Sequence, residues 1–465
     1  MAINYGFIVP HPPIAIHEVG KGREREIQNT IDAFMSVARM IKEIQPETII
    51  ISTPHSTVYS DYIHISPGKS AAGSFSNFGV RDVFFKVEYD EELVKAISDF
   101  AFEEDIPAGT LGERNKELDH GAMVPLYFIN KHYTNYKLVR ISISGLSSIT
   151  HYNLGKSINR AVSKLGRNCV FVASGDLSHK LVASGPYGYD EEGPKFDKDI
   201  TDAMRKADFL KLLTINEERC ERAAQCGLQS FNILAGCFDK RNVKPAFMSY
   251  EGPFGVGYAV CAYEAAGSDD VRDFAKRALD EMEEKMKKAR GKEDAYISLA
   301  RKSIELYTRT KKVLEMPDDL SKELLERRAG TFVTLKINGK LRGCIGTIEP
   351  VCRNIAEEII RNAISACSKD PRFDPVTEEE LPYITYSVDV LGKAEKVQSK
   401  LELDPNKYGV IVTKGYRRGL LLPNLDGVDT VEEQLEIALG KAGIGSHEDY
   451  TIERFEVVRH EVGDL

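Results

Sequence analysis

Three histidines in this chain each follow an apolar run rich in β-branched residues. His11 comes after "YGFIV" and Pro10, His55 after "TIIIST" and Pro54, and His179 ends "CVFVASGDLSH". Imidazole is the commonest ligand of protein-bound metals and titrates near neutral pH. Rings at three strand tips therefore admit two chemistries: coordination of a metal ion, and proton transfer beside it. A fourth histidine, His120 in "ELDHGAMVPLYFIN", follows Asp119, which is suited to cap the apolar helix that comes next. The partial positive charge of a helix start disfavours imidazolium. A neutral His120 would suit hydrogen bonding to an anionic oxygen; the alternative is that Asp119 simply holds the ring in place. Iron doing oxygen chemistry also wants a carboxylate, since two histidines and one carboxylate leave positions open for substrate and dioxygen. The candidate is Glu251 in "MSYEGPFGVGYAV", placed in a Tyr-Glu-Gly-Pro turn before a late strand, with Glu264 on that strand as a substitute. Asp176, three residues ahead of His179, could orient its ring, as carboxylates behind active-site histidines often do.

Such side chains meet only if the elements carrying them share a sheet and a direction. Ligands of open parallel sheets bind at the carboxyl ends of the strands. The first 267 residues alternate strand-like and helix-like segments, which predicts an α/β layer fold with a largely parallel or mixed sheet flanked by helices. Strands are expected at Tyr5–Val9, Thr48–Thr53, Leu138–Ser144, Cys169–Ser174 and Gly255–Ala265, and a helix at Glu24–Glu43. The near-continuous apolar runs suit strands covered on both faces. Residues 268–292 are highly charged, with few apolar positions, and read as a solvated helical linker. Residues 293–465 read as an α+β domain. It has hairpins at Gly330–Thr347, turning at Asn338-Gly339, and at Tyr408–Pro423, a helix at Val351–Cys367 and a strand at Tyr383–Leu391.

The net charge of -9 argues against a nucleic-acid backbone as the main ligand. No apolar run approaches the ~20 residues of a membrane helix, and the N-terminus lacks the pattern of a signal peptide. The eight cysteines form no CxxC pair, which fits reduced thiols in a cytoplasmic protein. Cys220 and Cys226 lie close in sequence, but a zinc site there would need more ligands nearby. His17, His64, His132, His151, His447 and His460 are read as surface or packing residues.

"PHPP" around His11, "TPHS" around His55, "LDHGAMVPL" around His120, "SGDLSH" around His179 and "YEGPFGVGY" around Glu251 occur in one order. In this the chain resembles the class III extradiol dioxygenases, the family named for the LigB subunit. The resemblance implies His11, His55 and Glu251 as ligands of ferrous iron, His179 as the acid/base group, and His120 as a second pocket histidine. It implies a catechol-like aromatic and dioxygen as substrates. The Memo family shares this fold and histidine set without a fixed link to ring cleavage, and zinc or another divalent ion could occupy the same ligands.

In the second domain, two glycines bracket Cys344 and Ile345 in "LRGCIGT", so the backbone there is either sharply turned or closely approached. This stretch, with "NAISACSKDPRFDPV", "ELPYITYSVDVL" and "RGLLLPNL", resembles the AMMECR family over residues 292–460. Arg342 and Cys344 invite a catalytic or binding reading; against it, Cys344 suits a small buried residue in a tight turn, with no base near in sequence. Proteins resembling these two domains and radical-SAM proteins form parts of one microbial system, so a radical-SAM protein is a candidate partner, and self-association into a homo-oligomer is another. Three functions follow as expectations: an iron-dependent extradiol oxidoreductase, a metal-binding scaffold without turnover, and metal-assisted hydrolysis.

Overall fold

The apolar runs of the N-terminal half pair side by side. In this computed structural model, which describes residues 2–337, 339–425 and 427–463, strands β1 (Tyr5–Val9), β2 (Thr48–Thr53), β3 (Lys137–Ser142) and β4 (Cys169–Ser174) run parallel. Strands β5 (Arg241–Glu251) and β6 (Tyr258–Ser268) complete a mixed sheet of order β3-β2-β4-β1-β6-β5, with β6 antiparallel to both neighbours. Alternate residues of β1, β2 and β4 enter two separate cores. Phe7, Ile49, Ile51, Val170 and Val172 pack with helices α1 (Gln28–Ile44) and α2 (His120–Asn130) on one face. Ile8, Ile50, Phe171 and Ala173 pack with α3 (Ser148–Leu165), α4 (Glu192–Lys206) and α5 (Leu228–Cys237) on the other. Both faces are therefore covered, which is why these strands read as unbroken apolar runs.

Two expectations shift. The helix foreseen from Glu24 opens with a 3-10 turn, Arg23–Ile27, before α1 proper. Strand β5 was not foreseen. Its sequence "RNVKPAFMSYE" carries Lys, Arg and Pro, which an edge strand tolerates because it pairs on one side only. Glu251 is consequently the last residue of a strand, opposite Tyr258, rather than part of a turn.

The chain divides into two compact units, Met1–Asp280 and Glu281–Leu465. The division falls inside helix α6 (Phe274–Arg290), within the segment expected to be a solvated linker. Phe274, Ala275 and Ala278, spaced for one helical face, are buried in the core of the first unit. The second unit holds two antiparallel sheets. One joins β7 (Thr331–Ile337), β8 (Lys340–Gly346), β9 (Ile384–Leu391) and β13 (Val457–Glu461) in the order β8-β7-β9-β13. The other joins the short strand Glu395–Lys396, β12 (Thr451–Phe455), β10 (Gly409–Lys414) and β11 (Arg417–Leu421) in that spatial order. Helices α7 (Ala295–Thr310) and α8 (Ile355–Ser368) cover the first sheet, and α9 (Val431–Ala442) the second. Of the expected Asn338-Gly339 turn, Asn338 lies outside the described residues and Gly339 has φ +82°. Among the described residues, no helix is long and apolar enough to cross a membrane.

Candidate metal centre and its pocket

Strands β1, β2 and β4 are parallel neighbours, so the segments after them leave the sheet at one edge. That geometry brings His11 and His55 together: their Nε2 atoms are 3.0 Å apart and their rings meet edge-on, with centroids 4.7 Å apart. The tautomer of His11 follows from its neighbours. Ser174 Oγ donates to the Gly121 carbonyl at 2.6 Å, so it can only accept from His11 Nδ1 at 3.0 Å. The proton of a neutral His11 therefore sits on Nδ1, and the lone pair of Nε2 points at His55. Burial, reinforced by the neighbouring histidines, holds the pKa of His11 well below the usual value. His55 is pushed down to about 4, mainly by burial. Both rings are neutral at pH 7, the form that ligates metal.

The third group at this point is a thiol. Cys226 Sγ lies 3.6 Å from His11 Nε2, and the ligand atoms of His11, His55 and Cys226 all lie within 4.8 Å of one another. Ligand bonds of about 2.1 Å to imidazole and about 2.3 Å to thiolate, at tetrahedral angles, separate two nitrogens by about 3.4 Å and nitrogen from sulfur by about 3.6 Å. The His11–His55 and His11–Cys226 spacings are near these values, and the third stays within 4.8 Å, so the group could hold one ion. Burial first and the Asp176 carboxyl second push the Cys226 thiol well above its ordinary pKa, so ligation would require loss of a proton. Cys226 reaches this place because Gly175, after β4, and Gly227 touch through their backbones. A Cβ on Gly175 would lie 2.1 Å from Gly227 Cα.

Glu251 is not in this group. Asn29 Nδ2, Thr30 N–H and Thr30 Oγ1 donate to its two carboxylate oxygens at 2.7–2.8 Å, so it caps the start of α1. The structure does not bring Glu251 to His11 and His55, as a two-histidine, one-carboxylate site would need: the helix start uses this carboxylate, and the Cys226 thiol lies beside the two rings. Its substitute Glu264 accepts from the Tyr5 hydroxyl on the sheet and is exposed. Asp176 also differs from expectation. Its Oδ1 accepts the His11 backbone N–H at 2.8 Å and its Oδ2 is 3.7 Å from His11 Nε2, so it backs His11 rather than His179.

A cavity of about 720 Å³ opens over the pair, lined among others by His11, His55, His120, His179 and Asp176. His120 begins α2, as expected. Asp119 Oδ1 accepts the Ala122 N–H at 3.1 Å and the Thr53 hydroxyl at 2.5 Å, tying the helix start to the end of β2. The His120 ring stacks on His55 at 4.1 Å and meets Phe78 edge-on. Burial lowers its pKa. His179 is held through its backbone: its N–H donates to the Ala223 carbonyl, and the preceding Ser178 N–H donates to Asp197 on α4 at 2.7 Å. Its ring packs edge-on to Tyr187. Burial lowers this pKa also.

In the second unit the polar groups around "LRGCIGT" satisfy one another. Arg342 donates through Nε and Nη2 to Glu380 and through Nη1 to the Asp374 carbonyl. Cys344 gives its N–H to Asp370, receives a hydrogen bond from the Thr334 hydroxyl at Sγ, and has its pKa raised by burial. Arg372 closes a bidentate pair with Asp370. The glycines mark close approach rather than a turn: a Cβ on Gly343 would lie 2.4 Å from the Ala366 carbonyl oxygen of α8.

Fold and site together define a mixed α/β domain with a histidine-lined rim, followed by an α+β domain. The family described as the catalytic LigB subunit of aromatic ring-opening dioxygenase matches residues 5–261, and AMMECR1 matches residues 297–460. The chain belongs to the LigB family and carries an AMMECR1 domain after it. It is 46% identical over 470 residues to Protein CA_C1420 of Clostridium acetobutylicum, covering 99% of each chain. A Thermotoga maritima protein is 54% identical over 170 residues, 36% of this chain and 98% of its own. Among solved structures, the uncharacterized protein PH0010 of Pyrococcus horikoshii is 33% identical with a TM-score of 0.34, covering 35% of this chain and 88% of its own. JW3007 of Escherichia coli is 14% identical with a TM-score of 0.36, covering 56% of this chain and 99% of its own.

Proposed function

We propose that the LigB domain is a metal-dependent oxidoreductase acting on a small hydroxylated aromatic, with its ion held by His11, His55 and Cys226. The observation that carries this reading is the meeting of these three ligand atoms within 4.8 Å of one another, with His11 and His55 lining the cavity. When bound, the ion supplies a Lewis-acid centre for a substrate oxygen. Ser174 keeps the His11 lone pair on Nε2. Neutral His179 is the base that accepts the proton of a substrate hydroxyl, and His120 stands beside His55 as a hydrogen-bonding group for a second oxygen. Phe78 and Tyr187, each against one of these histidines, offer aromatic walls to a flat ring. All eight cysteines are free, which supports a reducing, cytoplasmic setting.

The donor set favours a second reading as well. Ferrous iron is the ion that dioxygen chemistry calls for, yet a thiolate in place of a carboxylate is a softer site and suits zinc or copper. On that reading the domain is a hydrolase, or a metal-binding scaffold working with a radical-SAM partner. Protein loaded separately with ferrous iron and with zinc, then mixed with catechol in air, separates the two. Dioxygen uptake with catechol loss in the iron-loaded sample alone supports the oxidoreductase. Absence of uptake from a sample that retains its iron overturns it in favour of the second reading.

A further inference from the structure

Tyr258, the first residue of β6, is 4% exposed, and its ring belongs to the core cluster of Phe7, Val9 and Val260. Its hydroxyl has no hydrogen-bond partner among the described residues. The residue lines the cavity together with His11, Asp176 and His179, and its hydroxyl is not among the sealed, unpaired polar atoms. Three other tyrosines of this domain spend their hydroxyls within the protein: Tyr152 on Asp239, Tyr250 on Asp197 and Tyr263 on the Met204 carbonyl. A buried phenol left unpaired is costly, so the partner of Tyr258 has to come from the cavity.

The backbone leading to Tyr258 is registered to the His179 loop. The Leu177 N–H donates to the Gly257 carbonyl at 2.9 Å, and the Gly257 N–H donates to the Ser178 carbonyl at 2.8 Å. Tyr258 is thus one residue from the backbone bonds that hold the His179 loop. Burial, and then the charge of Asp176, raise its pKa above the ordinary phenol value, so it remains a proton donor.

We propose that Tyr258 is a catalytic residue whose hydroxyl donates a hydrogen bond to an anionic oxygen, a phenolate or enolate, of the substrate in this cavity. The inference rests on the aromatic reading above. His179 accepts the proton from the substrate hydroxyl, and Tyr258 keeps its own proton and stabilises the oxygen that has become charged. No bond is made or broken at Tyr258.

The test uses full-length, zinc-loaded protein titrated with nitrocatechol, whose visible band reports its own ionisation. Tyr258→Phe removes one oxygen and leaves the buried ring in place. The variant should keep the zinc content of the parent, bind nitrocatechol about tenfold more weakly, and require a higher pH to show the ionised band. Equal affinity and an unchanged band in Tyr258→Phe would overturn the inference and leave the aromatic reading standing. Failure of the unaltered protein to bind nitrocatechol would overturn the aromatic reading and this inference with it.

Discussion

Asp176 and Asp370 are both buried carboxylates that accept a backbone N–H, and they part at the remaining acceptor sites. Asp176 holds the His11 N–H and, among the described residues, pairs with no Lys or Arg; burial pushes it up to about 7. Asp370 holds the Cys344 N–H and is gripped by both arms of Arg372, which drives its pKa well below the usual carboxylate range. The two surroundings differ in the same sense. At the rim of the first sheet, the Tyr258 hydroxyl lacks a partner among the described residues, and His11 turns a lone-pair nitrogen toward His55 and the Cys226 thiol. Around Leu341–Thr347, Cys344, Asp370 and Arg372 satisfy one another, and Arg342 is held by Glu380 and the Asp374 carbonyl. Hydrogen-bonding capacity left open toward a cavity marks a site for a ligand; capacity closed internally marks a cluster that fixes backbone. The LigB rim belongs to the first kind, and the AMMECR1 signature turn to the second.

The largest effects should come from the glycines that allow each arrangement. Gly343→Ala forces a Cβ against the Ala366 carbonyl, and neither backbone can yield cheaply. It should cost the second domain about 3 kcal/mol in urea unfolding of the full chain and leave metal binding intact. Gly175→Ala collides with Gly227 beside Cys226. It should remove metal binding, with a stability loss of similar size. A Gly175→Ala protein that binds metal normally would break the comparison.

The carboxylates should give smaller, pH-dependent effects of opposite sign. The folded pKa of Asp370 is depressed, so its contribution is fully present above the unfolded value of about 3.9 and is lost as pH falls through the folded pKa. Asp370→Asn should cost about 1–3 kcal/mol at pH 7, and the gap should shrink below about pH 4. The folded pKa of Asp176 is raised to about 7, so ionising it inside the fold is unfavourable. Its penalty grows as pH rises from about 4 toward that value. In metal-free protein, Asp176→Asn should cost under about 1 kcal/mol at pH 6, and the variant should gain relative to the parent as pH rises. Parallel pH trends for the two variants would show that the surroundings do not differ as described.

The elements were legible where local pattern and tertiary role agree. Residues 48–53 and 169–174 read as strands because their β-branched and apolar side chains serve two cores at once. The histidines stood out because each follows such a strand. Strand β5 was hidden by the Lys and Pro residues that its edge position permits. The expected approach of Glu251 to the histidines fails for a related reason. Glu251 has the right chemistry, but its neighbours in space are Asn29 and Thr30, more than 220 residues away in sequence. Cys226 lies in "AAQCGLQSF", where no periodicity points to a metal. Its only local clue is the following glycine, and the meaning of Gly227 appears once Gly175 is seen against it. Likewise, Asp176 stands three residues from His179 in sequence, but the parallel pairing of β1 with β4 turns it toward His11.

The central claim concerns which three side chains hold the ion, and metal content tests it directly. Full-length protein saturated with zinc and desalted should retain about one ion per chain in the parent and in Glu251→Gln, and almost none in Cys226→Ala or His11→Ala. Retention of the ion by Cys226→Ala together with its loss from Glu251→Gln would contradict the account.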